Sequence, residues 1–525
     1  MTPPRPVDAT GARPVLPSRQ DWPLWQTAAS RQLERAALAQ AAPQALMARA
    51  GLGLARLALA IAPRARRVWV AAGPGNNGGD GMVAARLLAA QGLAVRVSLV
   101  GDTQRMPADA HWALAAARQA GVVITPGLDG QSVPLAASDL AIDALLGLGA
   151  SRAPNAAMAE AISRLNQQAA PVLAVDLPTG LCGDTGSLLG QNAVVARHTL
   201  ALLTLKPGLF TGLGRDHAGR VWLDDLGVAA ATGLDIPANA WLLGPEALVA
   251  LLPGRAHAQH KGSFGDLLVL AGAPGMAGAA LLAARAALTA GAGRVYLARL
   301  DGDNRPDPQR PELMCRSLES VLDAAWLARA TVVCGCGGGD AVRVLLPAVL
   351  ASAARLVLDA DALNAVAGDS ALMTALAARA AAGRPSVLTP HPLEAARLLG
   401  VAVSQVQADR LRHARRLADQ TQATVVLKGS GTVIAVPGGL PRINATGNAR
   451  LGTAGSGDVL AGWLGGLWAQ HAASRGDTVA YASVWLHGRA AEWGDDLSWA
   501  QPPRLPLRAA DLIDAMAQAL PSGSA

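Results

Sequence analysis

Short, continuous apolar runs alternate along the chain with longer stretches of helical spacing. Residues 68–72 form one such run, followed by a glycine-rich turn and an amphipathic stretch from 81 to about 91. Runs at 94–100, 140–144 and 172–175 repeat the theme, with helical spacing between them, for instance over 156–168. Unbroken apolar runs mark strands buried on both faces, and strand alternating with helix predicts a parallel sheet covered on both sides. Ahead of this pattern, residues 25–62 predict helices, and the Pro- and Arg-rich residues 1–22 predict a flexible leader. The pattern restarts at 267–271, which runs into a glycine loop (272–278) and an Ala-rich helix. Further strands are predicted at 295–297, 331–333, 356–358, 386–388 and 424–427. Breakers across 225–262 put a junction near 235–245. The halves do not align with one another, so the chain reads as two different three-layer α/β domains, 23–235 and 240–520, and not as a repeat. Ligands on such sheets bind at the carboxyl ends of the strands, where the strand order reverses.

Composition narrows the function without naming it. The 525 residues are 51% hydrophobic and 16% charged, enough for two large buried cores. The net charge of +7 is spread as dispersed Arg without interleaved aromatics. This predicts no nucleic-acid partner, though a mild positive field suits phosphate-bearing small molecules. Cys182, Cys315, Cys334 and Cys336 fit neither a disulfide framework nor a zinc site. No apolar run predicts a signal peptide or a membrane span, so a cytosolic protein is expected, with small-molecule substrates and as a homo-oligomer.

The first candidate chemistry is GPGNNGGDG at 73–81, between a strand and a helix. Its glycines expose backbone N–H groups and permit positive φ, which suits a phosphate at a helix N-terminus, although structural turns look alike. Asn76, Asn77 and Asp80 add amides and a carboxylate. Asp143 ends a strand and opens Asp-Ala-Leu-Leu-Gly147-Leu148-Gly149, and Asp176 ends the next, in VDLPTG, with TLKPG following. Two strand-end aspartates ahead of glycine turns would line one sheet edge.

Together, GPGNNGGDG, DALLGLG, VDLPTG and TLKPG resemble the NAD(P)H-hydrate epimerase domain, also called the YjeF N-terminal domain, across most of 25–230. The resemblance implies a Rossmann-like sheet and a hydrated nicotinamide nucleotide held by Asn76, Asn77, Gly78, Gly79 and Asp80, and by Gly147, Leu148, Gly149, Ala150, Ser151, Arg152 and Ala153. It implies Asp176 as substrate-binding and acid–base carboxylate, and a K+ site from Asn77, Asp143 and Thr179, whose oxygens suit a hard cation. Thr179 stands where the family usually has Ser, and the hydroxyl is kept.

The second constellation runs from HKGSFG (260–265) through TPHPLE (389–394) and KGSGT (428–432) to TAGSGD (453–458). Gly455-Ser456-Gly457 at a helix start builds an anion hole from backbone N–H groups and the helix dipole, and Asp458 beside it can accept a hydroxyl proton. An Asp cap within a glycine turn is the plain alternative. These segments, with AGAPGMAGAA, DADALN and NATGNARLGTAGSGD, resemble the ribokinase-like ADP-dependent NAD(P)H-hydrate dehydratase over about 255–515. The resemblance implies substrate contacts at Ala277, Gly337, His391 and Asp458. It also implies ADP contacts at Lys428, Gly429, Ser430, Gly431, Thr432 and Gly457, with ADP as co-substrate and Mg2+. Gly335, Gly338 and Gly339 compete with Gly337. The family's Gly-Asn-Pro-Gly-Met is Gly447-Asn448-Ala-Arg-Leu here. The two resemblances imply one substrate: the N-terminal half interconverts the R and S hydrates, and the C-terminal half dehydrates the S form. A vitamin-precursor kinase fused to a nucleotide-sensing domain is the competing reading.

Overall fold

The computed structural model describes residues 11–128, 134–228, 236–252, 254–492 and 505–520. One compact unit comprises the described residues up to Pro17 and from Pro23 to Ala240, and the other Ser18–Trp22 and the described residues from Trp241 onward. With strands numbered along the chain, β1 (Arg13–Pro14) belongs to the first sheet and β2 (Trp22–Leu24) to the second. Among the described residues no single helix is long and apolar enough to cross a membrane.

The first sheet continues with β3 (Arg67–Ala72), β4 (Ala94–Leu99), β5 (Val123–Pro126), β6 (Leu140–Ala144), β7 (Val172–Val175), β8 (His198–Leu202) and β9 (Arg220–Asp224). Its order is β1-β9-β8-β7-β6-β3-β4-β5, parallel except for β1. The chain moves outward from β3 to β5 and then returns to place β6 on the other side of β3, with Val68 beside Leu140. That reversal opens a crevice beyond Ala72 and Ala144. Helices Thr27–Gln40 and Ala45–Ile61 occupy the stretch where helical spacing predicts them.

The expectation of a flexible leader over 1–22 is corrected for its described part. Arg13 pairs with Leu223, Val15 N donates to Val221 O at 3.0 Å, and Val15 and Leu16 are buried. Proline at a sheet edge costs no ladder bond, so a Pro-rich segment can still close the β9 edge. Residues 1–10 lie outside the described residues.

The second sheet holds β10 (Ala240–Leu242), β11 (Asp266–Ala271), β12 (Arg294–Arg299), β13 (Met314–Cys315), β14 (Thr331–Cys334), β15 (Arg355–Leu358), β16 (Ser386–Leu388), β17 (Thr424–Leu427), β18 (Thr432–Ala435) and β19 (Arg442–Asn444). Its order is β13-β12-β11-β14-β15-β16-β17-β18-β19-β10-β2. Here the reversal falls between β11 and β14. The registers Cys334–Leu358 and Leu358–Leu388 align the ends of β14, β15 and β16, and Leu388 pairs with Val425, so β17 runs two residues further to Leu427.

Two helices, Ala277–Thr289 and Ser456–Gln470, cover this edge in parallel. A Cβ on Gly462 would lie 2.0 Å from Ala283 O, and one on Gly466 2.4 Å from Ala287 O. Equal steps along both helices fix their register, so the N-termini at Ala277 and Ser456 come side by side. Only glycine lets the backbones approach this closely.

Two candidate active sites at the sheet edges

In the first unit the helix begins at Asn76, five residues before the sequence pattern predicts, and runs to Ala90. The NNGGD residues are therefore first-turn helix and not loop. None of Gly73, Gly75, Gly78, Gly79 or Gly81 has positive φ, which corrects the expected use of that freedom. Close approach explains all of them but Gly75, whose Cβ would meet open space: a Cβ on Gly78 would meet Gly73 O at 1.8 Å, and one on Gly81 Ala144 Cβ at 2.5 Å. Gly75 caps the helix without a side-chain bond, so the first N–H groups keep their anion-binding capacity.

Asp143, at the end of β6, is fully buried and accepts from Thr179 N at 2.8 Å, Thr179 Oγ1 at 2.7 Å and Leu145 N at 3.2 Å. Burial pushes its carboxyl up to about 6, against those hydrogen bonds. Asp176, at the end of β7, holds a left-handed φ of 66° and accepts from Leu148 N at 3.1 Å and Leu202 N at 3.2 Å. The buried Lys206 ammonium pairs with it, and donates to the carbonyls of Leu202 and Thr204 at 2.9 Å. Gly147 lies against both Asn77 and Asp176: its missing Cβ would sit 2.7 Å from Asn77 Oδ1 and 3.3 Å from Asp176 Oδ2. Asn77 Nδ2 is buried without a hydrogen-bond partner among the described residues. Asp80 is buried too, and burial, then Asp176 and Glu34, raise its pKa well above the usual range. The structure thus joins Asn77, Gly147, Leu148 and Asp176, and Asp143 with Thr179 adjoins them through Leu146, whose N donates to Thr179 Oγ1 at 3.0 Å, while Ser151, Arg152 and Ala153 are exposed beyond them.

In the second unit Asp359, immediately after β15, is buried and accepts from Lys428 Nζ at 2.6 Å and Thr389 Oγ1 at 2.7 Å. Burial opposes the Lys428 charge, but Asp359 and Glu394 outweigh it and raise its pKa. A Cβ on Gly457 would lie 3.2 Å from the same Nζ, so the ammonium sits at the mouth of helix Ser456–Gln470. Burial first, then Asp359, pushes Asp458 up to about 6. Ala277 and Gly337 meet through the 273–276 turn: Ala273 N donates to Gly337 O at 2.8 Å, and a Cβ on Gly337 would lie 2.9 Å from Met276 Cβ. His391 caps helix Pro392–Leu399, its Nδ1 accepting from Leu393 N at 3.1 Å while Glu394 Oε2 accepts from His391 N at 2.7 Å. Gly429, Ser430 and Gly431 form the turn between β17 and antiparallel β18, fixed by buried Arg410, which donates to Leu427 O at 3.1 Å and Lys428 O at 3.0 Å. Thr432 opens β18, its hydroxyl 3.1 Å from Gly429 O.

Residues 43–208 match the family model described as YjeF-related protein N-terminus, and 267–510 that described as NAD(P)H-hydrate dehydratase. The bifunctional NAD(P)H-hydrate repair enzyme of Coxiella burnetii is 36% identical over 482 residues, covering 89% of this chain and 94% of that protein. That of Escherichia coli is 36% identical over 462 residues, covering 85% of this chain and 84% of its own.

The chain belongs to the bifunctional NAD(P)H-hydrate repair enzymes.

Among solved structures, the Bacillus subtilis ADP/ATP-dependent NAD(P)H-hydrate dehydratase co-crystallised with ATP/Mg2+ is 32% identical, covering 52% of this chain and 95% of that one, at a TM-score of 0.42. This member of the repair-enzyme family has polar groups at its sheet edges that the sequence reading passed over. Lys206 and Asp359 lie inside TLKPG and DADALN; an Asp directly after the strand predicted at 356–358 is the signal that would have found Asp359, while Lys206, four residues beyond β8, follows no predicted strand. Glu34 had no such signal, since it enters from helix Thr27–Gln40; burial and then Asp176 raise its pKa. HKGSFG lies at the opposite end of the second sheet. It precedes the first residue of β11, and a Cβ on Gly265 would meet Ala469 O, near the far end of helix Ser456–Gln470, at 2.1 Å.

Proposed function

We propose that residues 23–235 epimerise the R and S hydrates of NADH and NADPH, and that residues 240–520 dehydrate the S hydrate at the expense of ADP. The observation that carries this reading is Asp458 at the junction of two parallel helix N-termini, with Lys428 beside it. Two dipoles and an ammonium favour a phosphoryl group, and a carboxylate titrating near 6 suits proton removal near neutrality.

In the dehydratase unit the C6 hydroxyl of the hydrate attacks the terminal phosphoryl of ADP while Asp458 takes its proton, and the bond to AMP breaks. Phosphate then leaves C6 as a proton leaves C5, restoring the ring double bond and yielding NAD(P)H, AMP and phosphate. Ala277, Gly337 and His391 orient the hydrate, and Gly429, Ser430, Gly431, Thr432, Gly457 and Lys428 hold the nucleotide. Asp458 feels both Asp359 and Asp361, an excess of carboxylate around one ammonium that fits a hard divalent cation. Asp359 and Asp361 would hold Mg2+, which when bound neutralises charge on the phosphates.

In the epimerase unit Asp176 exchanges a proton with the hydrate hydroxyl and Lys206 supplies the counter-charge. The helix start at Asn76, the unpartnered Asn77 amide and the loop from Gly147 to Ala153 bind the nucleotide. Asn77, Asp143 and Thr179 would hold K+; all three offer oxygen, and Asp143 is buried without a cationic side chain among its hydrogen-bond donors. A bound K+ would supply positive charge beside the substrate phosphate.

Incubating the protein with both hydrate epimers, with and without ADP, and following the reduced-nicotinamide absorbance tests both activities. Full recovery with ADP is expected. Recovery that stops at the S fraction removes the epimerase, and recovery independent of ADP removes the dehydratase mechanism.

A further inference from the structure

The stretch NATGNARLGTAGS (444–456) leads from the end of β19 to the helix start at Ser456, and the C-terminal half of helix Gly476–Ala491 grips it. Asn444 Nδ2 donates to Val484 O at 3.2 Å, Thr446 Oγ1 to Trp485 O at 2.9 Å and Asn448 Nδ2 to Ala491 O at 3.2 Å. A Cβ on Gly488 would fall 2.7 Å from Thr446 O, so helix and loop meet backbone to backbone. The residue before that glycine, His487, reaches the far end of the stretch: its Nε2 lies 3.0 Å from Ser456 O. A carbonyl oxygen only accepts, so Nε2 carries a proton and donates it. Burial pushes the imidazole down to about 4 against that bond, so near neutrality the ring is uncharged and Nε2–H is its one N–H.

The acceptor is what connects this ring to the nucleotide. Ser456 C=O and Gly457 N–H are the two ends of one planar trans peptide and point in opposite directions. Gly457 N–H belongs to the first helical turn, where donors have no intrahelical acceptor. No capping side chain takes it either: Gly455 caps the helix without a side-chain bond, and the Ser456 hydroxyl turns back to Leu451 O at 2.9 Å and Thr453 O at 3.0 Å. We propose that His487 is a positioning residue of the dehydratase, which by donating to Ser456 O fixes the plane of the Ser456–Gly457 peptide and aims Gly457 N–H at the phosphoryl group that is transferred. A hydrogen bond on the carbonyl also polarises the amide and makes its N–H a stronger donor. Neither effect requires charge, so the ring strengthens the anion hole without competing with Lys428 for the phosphate.

This inference rests on reading the second unit as the dehydratase, and two readouts keep the claims apart. The first is steady-state kinetics of three full-length variants with ADP and hydrate. His487→Gln keeps an N–H at the reach of Nε2, His487→Asn shortens that reach, and His487→Phe keeps the ring without the donor. The Asn and Phe variants are expected to lose roughly 10-fold in kcat, less than the roughly 10²–10³-fold loss on removing an oxyanion-hole donor outright. Glutamine should restore most of the rate, while the KM for the hydrate and the epimerisation rate stay nearly unchanged in all three. A packing role would rank Phe above Gln, and that ranking overturns the proposal. Equal rates in the Gln and Asn variants overturn it too, whether or not the Phe variant folds. The second readout is nitrogen NMR of isotope-labelled histidine, with His487 assigned by the resonances missing in His487→Gln. Near neutrality the proton is expected on Nε2, independently of any turnover with ADP, and a proton on Nδ1 alone overturns the proposal. A proton on Nε2 in a wild-type protein that ADP does not drive to dehydrate the hydrate would fault the dehydratase reading alone.

Discussion

Lys428 Nζ and Asp359 Oδ1 stand 2.6 Å apart with only 20% and 2% of their side chains exposed, although 69 residues separate them in the chain. A pair this deeply placed is expensive to break from one side, because the surviving charge stays buried without a partner. Lys428→Met is therefore expected to destabilise the second unit by about 3–5 kcal/mol and to abolish ADP-driven dehydration. Adding Asp359→Asn should return most of the stability and none of the activity. Denaturant unfolding of both variants beside the absorbance assay checks the separation; a stable, active Lys428→Met protein would contradict it.

The corresponding pair in the first unit is Asp176 with Lys206. Both are buried, and the ammonium also serves the Leu202 and Thr204 carbonyls. Asp176→Asn keeps the shape and the contacts with Leu148 N and Leu202 N while removing the charge. Epimer interconversion should fall at least 100-fold, in line with the loss of a general acid–base group, while dehydration of pure S hydrate stays at the wild-type rate. Chromatographic separation of the two hydrates over time measures this, and equal rates in variant and wild type would reduce Asp176 to a structural role.

Glu394 gives a dependence on pH with a definite sign. Burial lifts its carboxyl from 4.5 to about 7 in the folded protein. Between those values the folded state keeps a proton that the unfolded chain has released. Its contribution to stability is thus complete below pH 4.5 and is lost as pH rises through about 7. Glu394→Gln keeps an acceptor for His391 N and cannot ionise. Its stability relative to wild type should rise from about pH 4 to about pH 8, by up to roughly 3 kcal/mol. Chemical unfolding across that range tests it, and a difference independent of pH would show the carboxyl is not held neutral.

The alternation of apolar runs with helical spacing located both sheets, and glycine clusters at strand ends marked both crevices, because each signal is local. Helix boundaries were less legible. The 76–81 segment reads as loop by its glycines, but in the structure Gly78 and Gly81 admit Gly73 O and Ala144 Cβ, a demand set by packing. The aspartates were visible one by one, whereas their partners were not. Lys206 lies 30 residues from Asp176, and nothing along the chain says that β8 will bring it back beside β7. The edge strand β1 was hidden for the same reason: its few residues are ordered by β9, which arrives about two hundred residues later.

Gly462 offers a test of how helix packing sets up the dehydratase edge. Its missing Cβ would fall 2.0 Å from Ala283 O, a backbone atom that cannot swing aside, so alanine must push the two parallel helices apart. Overpacking of this kind costs about 1–3 kcal/mol. The displacement would also part the N-termini at Ala277 and Ser456, where the register brings two helix dipoles together. Gly462→Ala is therefore expected to raise the KM for ADP several-fold beyond what partial unfolding explains, with epimerisation unchanged. Gly400→Ala serves as the comparison, since no atom lies within 4 Å of its Cβ position and its left-handed φ of 65° makes it costly through strain alone. If both variants lose stability to a similar degree but only Gly462→Ala weakens ADP binding, helix spacing is what the nucleotide reads. Equal weakening in both would trace the effect to lost stability and remove that role.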